Sequence, residues 1–499
     1  MRLVHLPSAR QRIQARAGGW RPRQQGRFYT GSMPGFHIEH FGCRAARADG
    51  EAVGSRLRAA GHRALRAAEA DVIVVNTCSV TAEADRAARA YIRRAHRLNP
   101  KAHIVITGCY AQRAPDELAG LAGVAAVVGN SHKALAPEIA LALAGGEDLR
   151  ELAATPGLVP VASLLAGAGK APAWVDEQFA HSFIEEAHLA PGEQTRPNLK
   201  IQEGCGNRCT FCVIPQTRGP SRSLPHAAVI GRVEEFVAAG GNELVLSGIN
   251  LGRWGRELPA QAGAPRTTLA GLVGQILTGT SLPRLRLSSI EPMDWDAELI
   301  GLVREFGGGR LARHAHLPLQ SGSDAVLRRM HRRYRPWHYA DKVAALANAA
   351  GADLTLGADV MVGFPGETGA EFEETLEFVR ALPFGYLHLF PFSPRPGTPG
   401  WALQAAAPVA AEAVEARMAA LRALAAEKTL AHRRRFLGRT LDAITLHTPA
   451  PLAARGRTAA LTENFLPVEL EGLLPANRLV RVHAASLTAD AALVCQLSA

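Results

Sequence analysis

Nine residues constrain this chain more than any others: Gly204-Cys205-Gly206-Asn207-Arg208-Cys209-Thr210-Phe211-Cys212. Three cysteines stand at a CxxxCxxC spacing, with the aromatic Phe211 just before the third. Three thiolates on one short loop can hold three irons of a [4Fe-4S] cluster and leave the fourth iron without a protein ligand. A zinc knuckle is the alternative. Zinc takes four ligands, usually as two close pairs, and no partner pair follows nearby. The loop follows Leu199-Lys200-Ile201-Gln202, whose apolar residues alternate, so it stands at the exit of a strand.

The loop resembles the signature of the radical SAM superfamily. That resemblance implies an open iron that chelates the amino and carboxylate groups of S-adenosylmethionine (SAM) and cleaves it reductively. From Asn198 the chain enters six β/α units. Strands are expected at Leu199–Gln202, Glu243–Ser247, Arg284–Ile290, Ala312–Leu317, Asp353–Val362 and Tyr386–Phe392. Helices are expected at His226–Ala239, Thr268–Leu277, Ala297–Phe306, Asp324–Met330, Tyr339–Ala350 and Ala370–Leu382. Six units are too few to close an eight-stranded barrel, so a partial (β/α)6 barrel is expected, with its site at the C-terminal strand ends. Those ends read Ser247-Gly248-Ile249-Asn250, Ser288-Ser289-Ile290-Glu291-Pro292, Leu319-Gln320-Ser321-Gly322-Ser323, and Asp359 through Gly363-Phe364-Pro365-Gly366-Glu367-Thr368. Candidate SAM contacts are Phe211, Ser247, Asn250, Ser289, Glu291, Gln320, Asp359 and Gly363. Glu291 or Gln320 suits the ribose or methionine part, and backbone at Gly363 and Gly366 suits a close approach to adenine.

Residues 36–144 alternate short β-branched runs with helical stretches, the pattern of a parallel, doubly wound sheet. Strands are expected at Phe36–Phe41, Asp71–Asn76, Ala102–Thr107 and Val124–Val128, with helices including Asp49–Ala60 and Ala82–Leu98. Cys43, Cys78 and Cys109 follow the first three strands. Residues beyond the carboxyl ends of such strands converge on one crevice, so three thiols can meet there and hold a second cluster, again with one iron open. Two alternatives stand beside it: three inert core cysteines, or zinc with His37 or His40 as a fourth ligand.

Residues 145–197 are rich in Ala, Gly and Pro and are expected to be a linker with one partly ordered segment, Trp174–Ile184. The barrel with a trailing helix from about Ala410 then occupies residues 198–435. Residues 436–499 are β-patterned, with strands expected at Thr440–Leu446, Thr458–Leu461, Leu466–Leu470 and Arg478–His483, enough length for a small five-stranded barrel. It is entered through Arg433-Arg434-Arg435 and carries Arg455, Arg457, Arg478 and Arg481. Basic residues around a small barrel suggest RNA-backbone contacts, with a solvated surface as the alternative. Two helical runs are also basic: Arg86 to Arg97, and Arg328 to Arg335 beside the barrel mouth. The candidate RNA contacts are Arg332, Arg333, Arg433, Arg434 and Arg435.

The chain has 499 residues, which suggests about three domains. Its net charge of +11 is uneven, since residues 1–35 hold seven arginines and no acid. A secretory signal would need an apolar segment that this stretch lacks. A transit peptide or an RNA-binding tail would share its composition, but the expectation is a disordered leader, or a spurious one with Met33 as the true start. No stretch approaches the ~20 consecutive apolar residues of a membrane span. Seven cysteines, six of them near strand ends, fit iron–sulfur ligation in a reducing cytoplasm better than a disulfide scaffold. Cys495 is expected to be a free thiol.

From Phe36 to its end the chain resembles the methylthiotransferase family of radical SAM enzymes. The matching stretches are Asn76 to Thr81, Thr107-Gly108-Cys109, Gly204 to Cys212, His316 to Ser323 and Gly363 to Thr368. Ser247 to Asn250 and Arg329 to Tyr334 look most like the threonylcarbamoyladenosine tRNA methylthiotransferases. The first cysteine motif departs from the common LGCKxN form, reading Phe41-Gly42-Cys43-Arg44-Ala45-Ala46. The resemblance implies an α/β chain: a doubly wound N-terminal domain, a radical SAM partial barrel and a small C-terminal TRAM-like β-barrel. It implies SAM and two [4Fe-4S] clusters, one on Cys205, Cys209 and Cys212 and one on Cys43, Cys78 and Cys109. The first would yield a 5′-deoxyadenosyl radical that takes hydrogen from C2 of a modified adenine; the second would carry the sulfur. The implied partners are the tRNA anticodon stem-loop, a sulfur donor and an electron donor such as flavodoxin or ferredoxin, for a monomer away from membranes. Isopentenyl-adenosine, or an aspartate of a ribosomal protein, is the alternative substrate. A non-catalytic iron–sulfur or RNA-binding protein would not need SAM-site residues at four strand ends.

Overall fold

The computed structural model describes residues 33–146, 149, 170–179, 184, 195–259 and 267–498. The basic leader, apart from residues 33–35, lies outside the described residues. A six-stranded parallel sheet opens the chain, ordered β2-β1-β3-β4-β5-β6. Its strands are β1 (Gly35–His40), β2 (Arg63–Ala64), β3 (Val72–Thr77), β4 (His103–Gly108), β5 (Val124–Gly129) and β6 (Ala173–Trp174). Period-two alternation splits β3 between two cores. Val72 and Val74 pack with Val53, Leu57 and Ile139 on one face; Ile73 and Val75 pack with Ala88, Ile92 and Leu118 on the other. Helices on both faces make the sheet doubly wound.

One segment departs from the expected linker. Ala173 and Trp174 pair with Val127 and Val128 and extend the sheet. The Trp174 indole is buried in the core beside Val128. A two-residue strand has no periodicity to detect, and burial of one large ring holds it in place.

The central strands are β7 (Asn198–Glu203), β9 (Glu243–Gly248), β10 (Arg284–Leu287), β11 (His314–His316), β12 (Thr355–Val362) and β13 (Phe384–Pro391), all parallel where paired. Leu285 bridges to Leu311, carrying the arc from β10 towards β11. The free side of β7 takes the short antiparallel β8 (Arg222–Ser223) instead of β13, so the barrel stays open. Leu244, Leu246, Leu285 and Leu287 face the helices, while Glu243, Arg286, His314 and His316 are the intervening, buried polar positions. The helix Ala411–Arg434 lies along β13.

A closed five-stranded barrel follows, ordered β14-β15-β16-β18-β17. Its strands are β14 (Thr440–Thr445), β15 (Arg457–Thr462), β16 (Pro467–Glu471), β17 (Leu479–Leu487) and β18 (Leu493–Leu497). β18 brings Cys495, a free thiol, into the core, where burial pushes it up to about 12. The β15–β16 turn enters the base of the central barrel. Phe465 stacks on His314 at 4.1 Å, and Glu463 accepts from Arg313 Nε at 2.9 Å. Among the described residues, no helix is long and apolar enough to cross a membrane.

Candidate active site

The CxxxCxxC loop leaves β7 through Gly204, whose φ of +72° and missing side chain let the backbone pass Pro220; a Cβ there would lie 2.0 Å from the Pro220 carbonyl oxygen. Cys205 N–H then donates to Gly219 O at 3.1 Å, and Thr210 N–H to Met330 O at 3.1 Å. Nitrogen donors are aimed at the sulfurs. Arg332 Nη1 lies 3.3 Å from Cys209 Sγ, and Asn207 N and Asn250 Nδ2 lie 3.4 and 3.5 Å from Cys205 Sγ. Burial pushes the Cys212 thiol up to about 12, aided by the neighbouring Cys209 and Cys205, so a bare thiol there stays protonated. N–H donors on sulfur suit thiolates that metal has deprotonated, which is the donor set an iron–sulfur cluster needs.

Four side-chain oxygens around this loop are buried without a hydrogen-bond partner: Ser247 Oγ, Asn250 Oδ1, Ser288 Oγ and Gln320 Oε1. Ser247 stands at the end of β9, and the other three lie beyond β9, β10 and β11. Each such orphan costs roughly 1–3 kcal/mol unless a ligand satisfies it. Gln320 also holds a φ of +65°, a strained conformation for a residue with a side chain. These oxygens fit the ribose hydroxyls and ammonium of SAM. Phe211, Cys212, Gln320, Asp359, Met361 and Phe392 line a cavity of about 260 Å³, closed on one side by Val80 and Thr81 of the N-terminal domain. Burial opposes ionisation of Asp359, but hydrogen bonds from His316 and His388, each at 3.2 Å, hold its carboxyl well below the usual range.

Several expected contacts stand elsewhere. Ser289 is exposed; its neighbour Ser288 is the buried hydroxyl, because the chain alternates faces there. Glu291 is paired with Arg332. The missing side chain of Gly363 makes room for Val414, whose nearest methyl would lie 2.6 Å from a Cβ, and not for a ligand. Arg332, expected to meet RNA, is buried between Cys209, Glu291 and the Tyr334 ring. A guanidinium enclosed on all sides has no face for a phosphate. Arg433 donates to Ala491 O at 2.7 Å and Arg435 to Ala352 O, so both tie the chain to itself. Arg333 and Arg434 are exposed.

The N-terminal cysteines meet at the exits of β1, β3 and β4. Gly42 brings the Cys43 loop so close to Cys78 that a Cβ would lie 2.5 Å from Cys78 Cβ. Burial, then the fields of Cys109 and Cys43, push the Cys78 thiol up to about 12. Val80 N lies 3.5 Å from Cys78 Sγ, and Asn130 Nδ2 3.5 Å from Cys109 Sγ. Three sulfurs that feel one another, with N–H donors on two, fit a second cluster better than inert core thiols. The zinc alternative fits poorly, since His37 bonds to Leu65 O at 3.0 Å and the His40 ring lies over Gly50.

Two polar seams join the domains. At the first, Asp49 and Lys133 meet Lys200, Glu203 and Arg218, all buried. At the second, Arg395, just past β13, bonds to Ser79 Oγ at 2.9 Å and to Asp85. The short helix Ile214–Arg218, which follows Cys212, packs on the helix Cys109–Arg113, and Asn130 Nδ2 donates to Thr217 O at 2.8 Å. One helical turn thus separates the two cysteine sites. Sequence reasoning missed Asn130, Arg218, Ser288 and Arg395; for Arg218 the signal was its place six residues after Cys212.

Residues 35–129 match the model "Uncharacterized protein family UPF0004", and residues 199–379 match "Radical SAM superfamily". The chain is 33% identical over 446 residues to the threonylcarbamoyladenosine tRNA methylthiotransferase MtaB of Aquifex aeolicus, covering 89% of this chain and 98% of that one. The chain belongs to the radical SAM methylthiotransferases. It is an enzyme of that class, and membership brings SAM and a [4Fe-4S] cluster. The chain is also 33% identical over 366 residues to the tRNA-2-methylthio-N(6)-dimethylallyladenosine synthase of Geobacter metallireducens, covering 72% of this chain and 76% of that one. The radical SAM methyltransferase TsrM from Kitasatospora setae shares the fold at a TM-score of 0.52 and 16% identity, over 72% of this chain and 75% of that one.

Proposed function

We propose that this methylthiotransferase acts on tRNA, placing a methylthio group on C2 of N6-threonylcarbamoyladenosine beside the anticodon. The observation that carries the reading is the single helical turn, Ile214–Arg218, that packs the Cys205/Cys209/Cys212 loop against the Cys43/Cys78/Cys109 site. When bound, two clusters would supply one-electron cleavage of SAM at the first site and sulfur at the second. The chain's own residues do the rest. Ser247, Asn250, Ser288 and Gln320 bind the polar groups of SAM with their unpaired oxygens. Phe211, Met361 and Phe392 keep water from the cavity, and Val80 and Thr81 bring the second site to its wall. Exclusion of water protects a reactive species from side reactions. Exposed Arg333, Arg434, Arg455 and Arg481 offer charge to an RNA backbone. An unstacked loop base reaches a pocket more cheaply than one in a duplex.

The stretches Ser247 to Asn250 and Arg329 to Tyr334 support the threonylcarbamoyl substrate over the dimethylallyl one. The enzyme works in the cytoplasm as a monomer, with flavodoxin or ferredoxin as reductant and a separate sulfur source. Mass spectrometry of tRNA nucleosides from cells with and without the gene tests the reading. Loss of the methylthio form of threonylcarbamoyladenosine is expected. Loss of methylthio-isopentenyladenosine instead moves the substrate, and no change in either refutes action on tRNA.

A further inference from the structure

The buried seam beside Cys43 and Cys109 carries more positive charge than it can use. Two carboxylates, Asp49 and Glu203, face three cations, Lys133, Lys200 and Arg218, which leaves one positive charge over. All five side chains are at least nine-tenths buried. A buried surplus charge is costly, and a [4Fe-4S]2+ cluster on three thiolates, itself a monoanion, would offset it. Arg218 Nη1 bonds to Glu203 Oε1 at 2.8 Å, Glu203 Oε2 at 3.0 Å and Asp49 Oδ2 at 3.1 Å, while Nε and Nη2 are buried and have no partner. Asn130 Nδ2, which lies 3.5 Å from Cys109 Sγ and donates to Thr217 O at 2.8 Å, sets Arg218 beside those cysteines. Two fixed N–H donors on one cation form a small anion site at the edge of the N-terminal cysteines.

We propose that Arg218 is the anion-holding residue of this site, using its free Nε and Nη2 groups to hold one monoanionic sulfur ligand, hydrosulfide or methanethiolate, against the Cys43/Cys78/Cys109 centre. This rests on the reading that those cysteines hold a cluster. The two donors keep the sulfur where the helix Ile214–Arg218 brings the SAM loop closest. Lysine at this position would keep the charge and lose the paired donors.

The test uses the full chain with Cys205, Cys209 and Cys212 changed to alanine, so that only the N-terminal cysteines can hold iron. Hydrosulfide and methanethiolate are titrated separately into the iron-loaded protein, and binding is followed by electron paramagnetic resonance of the reduced centre. Arg218→Met leaves Asp49 and Glu203 balanced by Lys133 and Lys200. It is expected to retain iron and to bind one or both ions at least tenfold more weakly; the ion affected identifies the source. Unchanged affinity for both ions in iron-loaded Arg218→Met overturns the proposal. Failure of the triple-alanine protein itself to hold iron overturns the second-cluster reading, a different failure. Should Arg218→Met not fold, nuclear double resonance on nitrogen-15-arginine protein with bound hydrosulfide decides. A coupled guanidinium nitrogen supports the assignment, and its absence refutes it.

Discussion

Replacing Arg395 with methionine should loosen the docking of the N-terminal domain without unfolding it. Arg395 is 3% exposed, and its Nη2 bonds to Ser79 Oγ at 2.9 Å and to the Asp85 carboxylate. Asp85 also holds Arg113 Nη2 at 2.7 Å, so its charge stays paired after the substitution. The loss is therefore less than the ~3–5 kcal/mol of a stranded buried charge. It is nearer that of one charge-assisted hydrogen-bonded pair, about 1.5–3 kcal/mol. At ~1.4 kcal/mol per decade, the seam should open roughly ten- to a hundredfold more often. Ala82 reports this directly, because its amide donates across the seam to Ser393 Oγ at 3.0 Å. In native-state hydrogen exchange the Ala82 amide should speed up by that factor, while those of Ile92 and Ala95, inside the helix Ala82–Leu98, hold steady. An unchanged Ala82, or equal acceleration throughout the helix, would refute the idea that Arg395 pins the Cys78 loop to the barrel.

Two further predictions concern single side chains. Arg332→Met removes the cation and N–H donor at Cys209 Sγ, which favour the more negative reduced cluster. A redox titration followed by electron paramagnetic resonance should show a potential lower by on the order of 60 mV, tenfold for one electron; no shift or a rise refutes the contact. His432 is buried with Nε2 2.8 Å from Thr355 Oγ1, and burial, then Arg435 and Arg433, lowers it from 6.5 to about 4. The unfolded chain takes up that proton first, so the stability His432 contributes is intact above pH 6.5 and is lost as pH falls from 6.5 to 4. The loss is about 3 kcal/mol, and denaturant midpoints of the apoprotein should fall less steeply in His432→Gln across that window.

Local patterns carried much of the architecture. β-branched runs such as Val72 to Val75 are continuous, as in a strand buried on both faces, and helices such as Ala82–Leu98 repeat every three to four, so both stand out without any tertiary knowledge. Ala173 and Trp174 offered no repeat, and the linker composition around them hid a sixth strand. At the site, Ser247, Asn250 and Gln320 were legible because they stand at or just past strand ends. Ser288 was not, since only the backbone's alternation in three dimensions tells it from Ser289. The β15–β16 turn beneath the central barrel left no local signal either, because Phe465 meets His314 across 151 residues of chain.

By itself, the sequence determined the three-part α/β order and both sets of three cysteines, because ligand spacing and strand exits are properties of adjacent residues. Tertiary structure alone decided what the arginines do. Arg332 and Arg333 are neighbours in one basic run, yet one is enclosed against Cys209 and Glu291 while the other faces solvent. Arg218 became part of the candidate site only when folding buried it between two domains with two donors unspent. A guanidinium carries the same charge wherever it stands in the chain, and its partner is set by what the fold brings to it.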